Sequence, residues 1–179
     1  MLDVIIRPEE CADAPAICVV IVAAFENQPY SNHREHHIVD KLRENTALTV
    51  SLVAVRDAAV VGHIAFSPGT IDGKLYTGYG LGLLSVAPIH QRKGAGIRLV
   101  QAGLKLLEAG GANGCVVLGE ADFYSRFGFV VRAAVSLHGF PAEYFLALPF
   151  LSDYPRGNVA YHDAFHNVVL ARNHINLGS

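Results

Sequence analysis

Charge of either sign is scarce and evenly split. The chain carries 14 Lys and Arg against 16 Asp and Glu, a net charge of −2 with a pI near 6.5. That balance excludes a global electrostatic pull toward nucleic acid or an anionic membrane. Cysteine is nearly missing: Cys11, Cys18 and Cys115 are odd in number, widely spaced and set among apolar neighbours. They argue against a disulfide framework and for reduced, buried thiols in a cytoplasm. No long hydrophobic run occurs. The longest, Ala14 to Phe25, contains Pro15 and follows Glu9, Glu10 and Asp13, where a signal peptide would carry basic residues. It is too short to cross a bilayer and reads as a core helix. Internal repeats, low-complexity tracts and linkers are also absent, so residues 1–179 are expected to form a single domain. Several motifs are missing too. No Gly-Lys-Ser/Thr closes a Walker loop, no Gly-x-Ser-x-Gly makes a nucleophile elbow, and no His-Glu-x-x-His offers zinc spacing.

What is present is apolar material in quantity, 51% of the chain. A chain of this size can bury roughly 70% of its unfolded surface. Asp3 to Arg7 reads as an opening strand. Pro8, Glu9 and Glu10 suit the first turn of a helix running to Phe25, which would bury Ala16, Ile17, Val20 and Ala24. Turn formers from Glu26 to Asn32 separate it from a second helix over Glu35 to Glu44, with Ile38 and Leu42 inward. Leu48 to Val55 and Ala59 to Phe66 are β-branched runs joined by Arg56-Asp57-Ala58, a hairpin signal. A third strand spans Tyr76 to Val86. Its glycines at 78, 80 and 82 predict a bulge or a close backbone approach. Ile97, Val100, Leu104 and Leu107 recur at helical spacing from Gly94 to Ala109, and Gly110-Gly111 ends that helix. A short buried strand over Cys115 to Leu118 follows. Asp122 would cap a short helix over Phe123 to Phe127, with strands near Phe129 to Leu137, Tyr144 to Phe150 and Asn158 to Tyr161. The succession describes an α/β sheet of mixed direction.

The chemistry concentrates between Leu83 and Ile97. An apolar run gives way through Pro88 to Gln91-Arg92-Lys93-Gly94-Ala95-Gly96, a basic, glycine-rich turn that opens a helix. A helix N-terminus adds its partial positive charge to unpaired N–H groups, and glycine lets a ligand approach them closely. The turn therefore predicts an anion cradle, with Arg92 and Lys93 reinforcing it. Leu99 at the third glycine position makes it a poor dinucleotide fingerprint.

Here the sequence resembles the GNAT superfamily of N-acetyltransferases, whose acetyl-CoA loop reads Gln/Arg-x-x-Gly-x-Gly/Ala between a strand and a helix. Gln91, Gly94 and Gly96 match it. Downstream, Gly119 to Phe129 is similar to a segment that a bacterial branch of the family carries after its fifth strand, as are Pro141 to Phe145 and Val159 to His162. The resemblance implies a central mixed, largely antiparallel sheet flanked by helices. It implies that the backbone of Leu84, Ser85 and Val86 pairs with the pantetheine arm of acetyl-CoA. Gln91, Arg92, Lys93, Gly94, Ala95, Gly96 and Ile97 would then hold its pyrophosphate. Tyr124 matches the family's usual general acid, and a phenol near pKa 10 suits protonation of a departing thiolate. Beside Phe123 and Phe127, a packed aromatic is the competing reading.

The expected reaction moves an acetyl group to a primary amine by direct attack in a ternary complex, with no metal. A non-catalytic acyl-CoA sensor, or a protein Lys or N-terminal acetyltransferase, would carry the same loop. The acceptor would be a small amine or a peptide; the sequence indicates no oligomeric state. A base is needed, and Tyr79 to Leu83 offers no carboxylate. Glu26, His33 and Glu35 are candidates because they fall in the helices and loop on the substrate side. His33-Arg34-Glu35-His36-His37 reads as a solvated polar face rather than a metal site, and His63 as a satisfied core residue. His90 reads the same way, or as a border of the phosphate loop.

Overall fold

The computed structural model describes residues 3–29, 31–152 and 156–166. Among the described residues nine strands form one sheet in the order β1-β2-β3-β4-β5-β8-β6, with β9 joined to β3 and β7 to β9. β1 (Ile5–Pro8), β2 (Val50–Arg56), β3 (Ala59–Ile71) and β4 (Lys74–Val86) make an antiparallel meander. β5 (Gly114–Leu118) runs parallel to β4. β6 (Val130–Val131) and β8 (Phe145–Pro149) continue that side antiparallel, while β7 (Val135–Leu137) lies parallel to β9 (Gly157–Tyr161). The sheet is thus mixed and mostly antiparallel.

Helices cover both faces, as the alternation along β2 and β3 requires. Leu52, Ala54, Ile64 and Phe66 point to one face and pack with Leu99, Val100, Leu104 and Leu107 of α3 (Ala95–Ala109). Val53 and Ala65 point to the other, against Ile17 and Ile21 of α1 (Ala14–Phe25) and Ile38, Val39 and Leu42 of α2 (Glu35–Glu44). No helix among the described residues is long and apolar enough to cross a membrane.

Several expectations need correction. Pro8 belongs to β1, and Glu9 and Glu10 lie ahead of α1, separated from it by a 3-10 turn over Cys11–Asp13. Asp13 takes the role given to them: its carboxylate accepts the Glu10 N–H at 2.8 Å and pairs with Arg7 at 2.6 and 2.9 Å. Ile21 replaces Ala16 and Ala24 among the buried residues of α1. Asp122 sits inside the first turn of α4 (Ala121–Tyr124), with Glu120 at the cap position and no side-chain cap bond. The single strand drawn from Phe129 to Leu137 is broken into β6 and β7 by a turn in which the Val135 N–H bonds the Arg132 carbonyl. Of the cysteines only Cys115 is buried, while Cys11 is exposed.

Glu9 ties the start of the chain to the far end of α2. Its carboxylate accepts Arg43 Nε at 2.6 Å and the Ser51 hydroxyl, and Ser51 Oγ lies 2.8 Å from His63 Nε2. Burial by itself would raise the Glu9 pKa. The hydrogen bonds from His63, Arg43 and Ser51 outweigh it and hold the group at about 2. His63 is fully buried, and burial pushes its pKa below the ordinary histidine value despite the nearby carboxylate. It is a core residue tied on one side only, since its Nδ1 has no partner.

Candidate active site

The sheet opens where β4 meets β5. Their parallel pairing runs from Gly78↔Gly114 to Leu81↔Val117 and stops there. At that point the pairing of β4 with β3 shifts from Phe66↔Leu81 to Ala65↔Leu83, which leaves Gly82 as the extra residue of a β-bulge. A bulge bends and twists its strand, so β4 swings away from β5. Beyond it, Leu84, Ser85 and Val86 stay paired with β3 through Ile64, His63 and Gly62, and no described strand pairs with their other edge. Backbone N–H and C=O groups on such an edge are free for an extended ligand.

The turn after β4 is held by its own side chains. Gln91 Nε2 donates to the Val86 carbonyl at 3.0 Å, and Lys93 Nζ donates to the Ile89 carbonyl at 2.7 Å. Arg92 is exposed with φ +57°, and Gly94, at φ +94°, sits at the cap of α3. That left-handed conformation favours glycine, and no side-chain cap bond takes up the first N–H groups of α3. Ala95 is buried beneath the turn; Gly96 and Ile97 are half-buried. A Cβ on Gly96 would come 3.7 Å from Val86, 3.8 Å from Leu84 and 3.9 Å from Phe123. Gly96 therefore lines the passage between turn and fork. His90 Nδ1 is buried here without a partner.

A cleft of about 460 Å³ runs down from the fork. Leu81, Gly82, Leu83 and Leu84 form one bank, with Val117, Leu118, Phe123 and Tyr124 opposite. Tyr124 stands edge-on to Phe123, with centroids 4.9 Å apart, and to Phe129 at 5.8 Å. Gly119 makes room for it, since a Cβ there would fall 2.5 Å from the ring. Burial pushes the Tyr124 phenol well above its ordinary value, and the adjacent Cys115 adds to the shift. Tyr124 is thus both a packed aromatic and a hydroxyl-bearing cleft residue.

The other end of the cleft is built by Phe25 at the end of α1, Gln28 beyond it, Glu35 and Ile38 of α2, and Leu137, Tyr161 and Phe165. Two of the three glycines of β4 find their reason here, while Gly78 makes room for the Tyr76 ring of its own strand. Tyr161 lies across Gly80 and Phe165 across Gly82, where Cβ atoms would fall 2.2 and 2.5 Å from the rings. Of the base candidates only Glu35 reaches the cleft. Glu26 and His33 are exposed and do not line it. Glu35 is 5% exposed, in the first turn of α2. Glu120, which spacing did not single out, supplies a second, exposed carboxylate. Its signal was its place directly before α4 in the Tyr124 segment. Among the described residues no group of three or more His, Cys, Asp or Glu side chains is disposed to hold a metal ion.

A model of the acetyltransferase (GNAT) domain matches residues 48–131, the stretch that contains the fork, the turn and Tyr124. The N-acetyltransferase YhbS of Escherichia coli is 36% identical over 130 residues, covering 72% of this chain and 75% of its own. A GNAT family acetyltransferase from Brucella melitensis, solved in complex with acetyl-CoA, is 47% identical over 91% of this chain and 98% of that one, with a TM-score of 0.82. YhbS solved in complex with CoA superimposes with a TM-score of 0.84, at 32% identity and 93% coverage of both chains. With a sheet that forks beside a glycine-rich helix start and relatives of this identity across most of its length, the chain belongs to the GNAT family of N-acetyltransferases.

Proposed function

We propose that this N-acetyltransferase moves the acetyl group of acetyl-CoA to a primary amine by direct attack in a ternary complex, with residues 1–179 working as one catalytic domain. The observation that carries the reading is the fork. It leaves one edge of Leu84, Ser85 and Val86 unpaired, beside a helix start and opposite a buried phenol. The pantetheine arm fits that edge as an added strand, and a backbone N–H there would polarise the thioester carbonyl. The pyrophosphate fits the turn from Gln91 to Ile97. In this arrangement Gln91 and Lys93 hold the turn in shape, exposed Arg92 supplies charge, and the N–H groups around Gly94, Ala95 and Gly96 face the anion.

Tyr124 is the general acid. Burial keeps its proton in place until it is needed. A thiolate expelled into the same desolvated cleft becomes a stronger base for the same reason, so acid and leaving group stay matched. The amine nitrogen forms a bond to the acetyl carbon, the carbon–sulfur bond breaks with its electron pair on sulfur, and the phenol proton passes to that sulfur. The attacking nitrogen gives up one N–H proton to become the amide, and solvent returns a proton to Tyr124.

Two variants test this together. Tyr124→Phe should lower kcat by about 10²- to 10⁴-fold while acetyl-CoA still raises the melting temperature. Gly96→Val should stay folded and lose that acetyl-CoA-induced rise, because the added methyls fill the passage between Leu84, Val86 and Phe123. Near-normal turnover of Tyr124→Phe would remove it from the role. An unchanged thermal shift in Gly96→Val would remove the turn from donor binding. A sensor without catalysis would show the shift and release no CoA with any amine.

A further inference from the structure

The end of the cleft away from the turn has a chemistry of its own. Its walls are Phe25, Ile38, Leu137, Tyr161 and Phe165, and the cleft carries two carboxylates, Glu35 and Glu120. No Lys, Arg or His is among the described lining residues. Glu35 is the unusual member. It is 95% buried by its 5% exposure, it lines the cleft, and no hydrogen bond or ion pair joins it to another described residue. Residue burial does not close off its carboxylate, whose oxygens are not among the fully buried atoms without a partner, so the charge opens on the cleft and calls for an explanation. Part of it is local: Glu35 opens α2, and a helix N-terminus favours negative charge. The remainder is a partner that arrives with the substrate.

We infer that Glu35 and the apolar walls around it form the acceptor subsite, in which Glu35 binds the substrate ammonium and takes its proton, and that the acceptor is a compact monoamine on an apolar, carboxylate-free body. This rests on the transferase reading and specifies its second substrate. The proton leaves the ammonium for Glu35, which frees the nitrogen lone pair for the acetyl carbon. After attack a second N–H proton is released to solvent, Glu35 passes the first on to solvent, and one proton returns to Tyr124, so each turnover yields the amide, the CoA thiol and one proton. The aromatic and aliphatic walls shed water from the hydrocarbon part of the amine, while a carboxylate or phosphate on it would meet Glu35 and Glu120 with no cation to offset them.

The test uses the full chain with acetyl-CoA, reading CoA release for phenethylamine, for phenylalanine as its carboxylated counterpart, for spermidine and for a lysyl peptide. Phenethylamine should be acetylated, with kcat/KM about 100-fold or more above phenylalanine and above the other two acceptors. Glu35→Gln should lower kcat/KM for phenethylamine by about 10²-fold or more, with Glu35→Asp between the two. Both variants should keep the acetyl-CoA-induced thermal shift, which a general disturbance of the fold would not leave intact. The inference is overturned if phenylalanine matches phenethylamine, if spermidine or the peptide is preferred, or if Glu35→Gln stays within twofold of wild type. If acetyl-CoA stabilises the protein but no amine reacts, the acceptor class is wrong and the donor site stands. If acetyl-CoA does not stabilise it, the transferase reading fails first.

Discussion

The two ends of α2 handle negative charge in opposite ways. At its C-terminal end Arg43 meets Glu9, whose side chain is 12% exposed and which also accepts Ser51. At its N-terminal end Glu35 is buried to a similar depth and has no such partner. One carboxylate is saturated from within the protein and anchors the helix to β1 and β2. The other is left unsaturated at the rim of the cleft. The contrast separates a group that holds the fold from a group that awaits a ligand, and burial alone would not have told them apart. α2 is 10 residues long, about 15 Å, so the anchor fixes where the free carboxylate stands.

The strongest way to break the contrast is Arg43→Met. Removing one member of a largely buried pair strands the other, and the cost should be about 3–5 kcal/mol in chemical denaturation. A loss under about 1 kcal/mol would mean that Arg43 does not anchor the helix. The next effect is in the pH dependence. Glu9 titrates at about 2 in the fold against 4.5 ordinarily, so its contribution is complete above about 4.5 and is lost as the pH falls toward 2. That loss should amount to about 3 kcal/mol at most, since solvent screens a partly exposed group, and should vanish in Glu9→Gln. His63 acts in the same direction at higher pH. Its folded pKa lies below the ordinary 6.5, so stability is fully present above that value and declines as the pH falls through it. A melting temperature that rose on acidification from pH 7.5 to 5.5 would contradict this. The smallest effect is expected at the other end of the helix, where Glu35→Gln should change stability by less than about 1 kcal/mol, the scale of a lost charge–dipole contact. A loss comparable to that of Arg43→Met would make Glu35 a structural residue.

Much of this could be read from the chain, for reasons visible in particular residues. The span of α2, Glu35 to Glu44, and the inward Ile38 and Leu42 follow from helical spacing. α3 begins one residue after the glycine where its periodicity starts, and the fork strand ends at the valine before Ala87-Pro88. The three carboxylate and imidazole candidates for a base were indistinguishable in sequence. Spacing specifies neither which loop faces the cleft nor which side chain lacks a partner. Glu9 was misplaced because Pro8-Glu9-Glu10 resembles a helix start, whereas its true partners, Arg43, Ser51 and His63, are far along the chain. The glycines of β4 signalled a close approach, yet nothing local could say that Tyr161 and Phe165 were the groups approaching Gly80 and Gly82.

Those two rings impose an order of construction. The turn, the fork and Tyr124 precede β9 in the chain, while one wall of the cleft arrives with Tyr161 and Phe165 and settles onto a strip of bare backbone. During synthesis the open edge of β4 is therefore made before the segment that encloses it. The enclosing segment also touches β4 through ring edges set against Gly80 and Gly82, so its side chains can be exchanged without redrawing the strand beneath. On the proposed reading, residues 157–166 are where the acceptor end of the cleft can be reshaped without touching the turn, the fork or Tyr124.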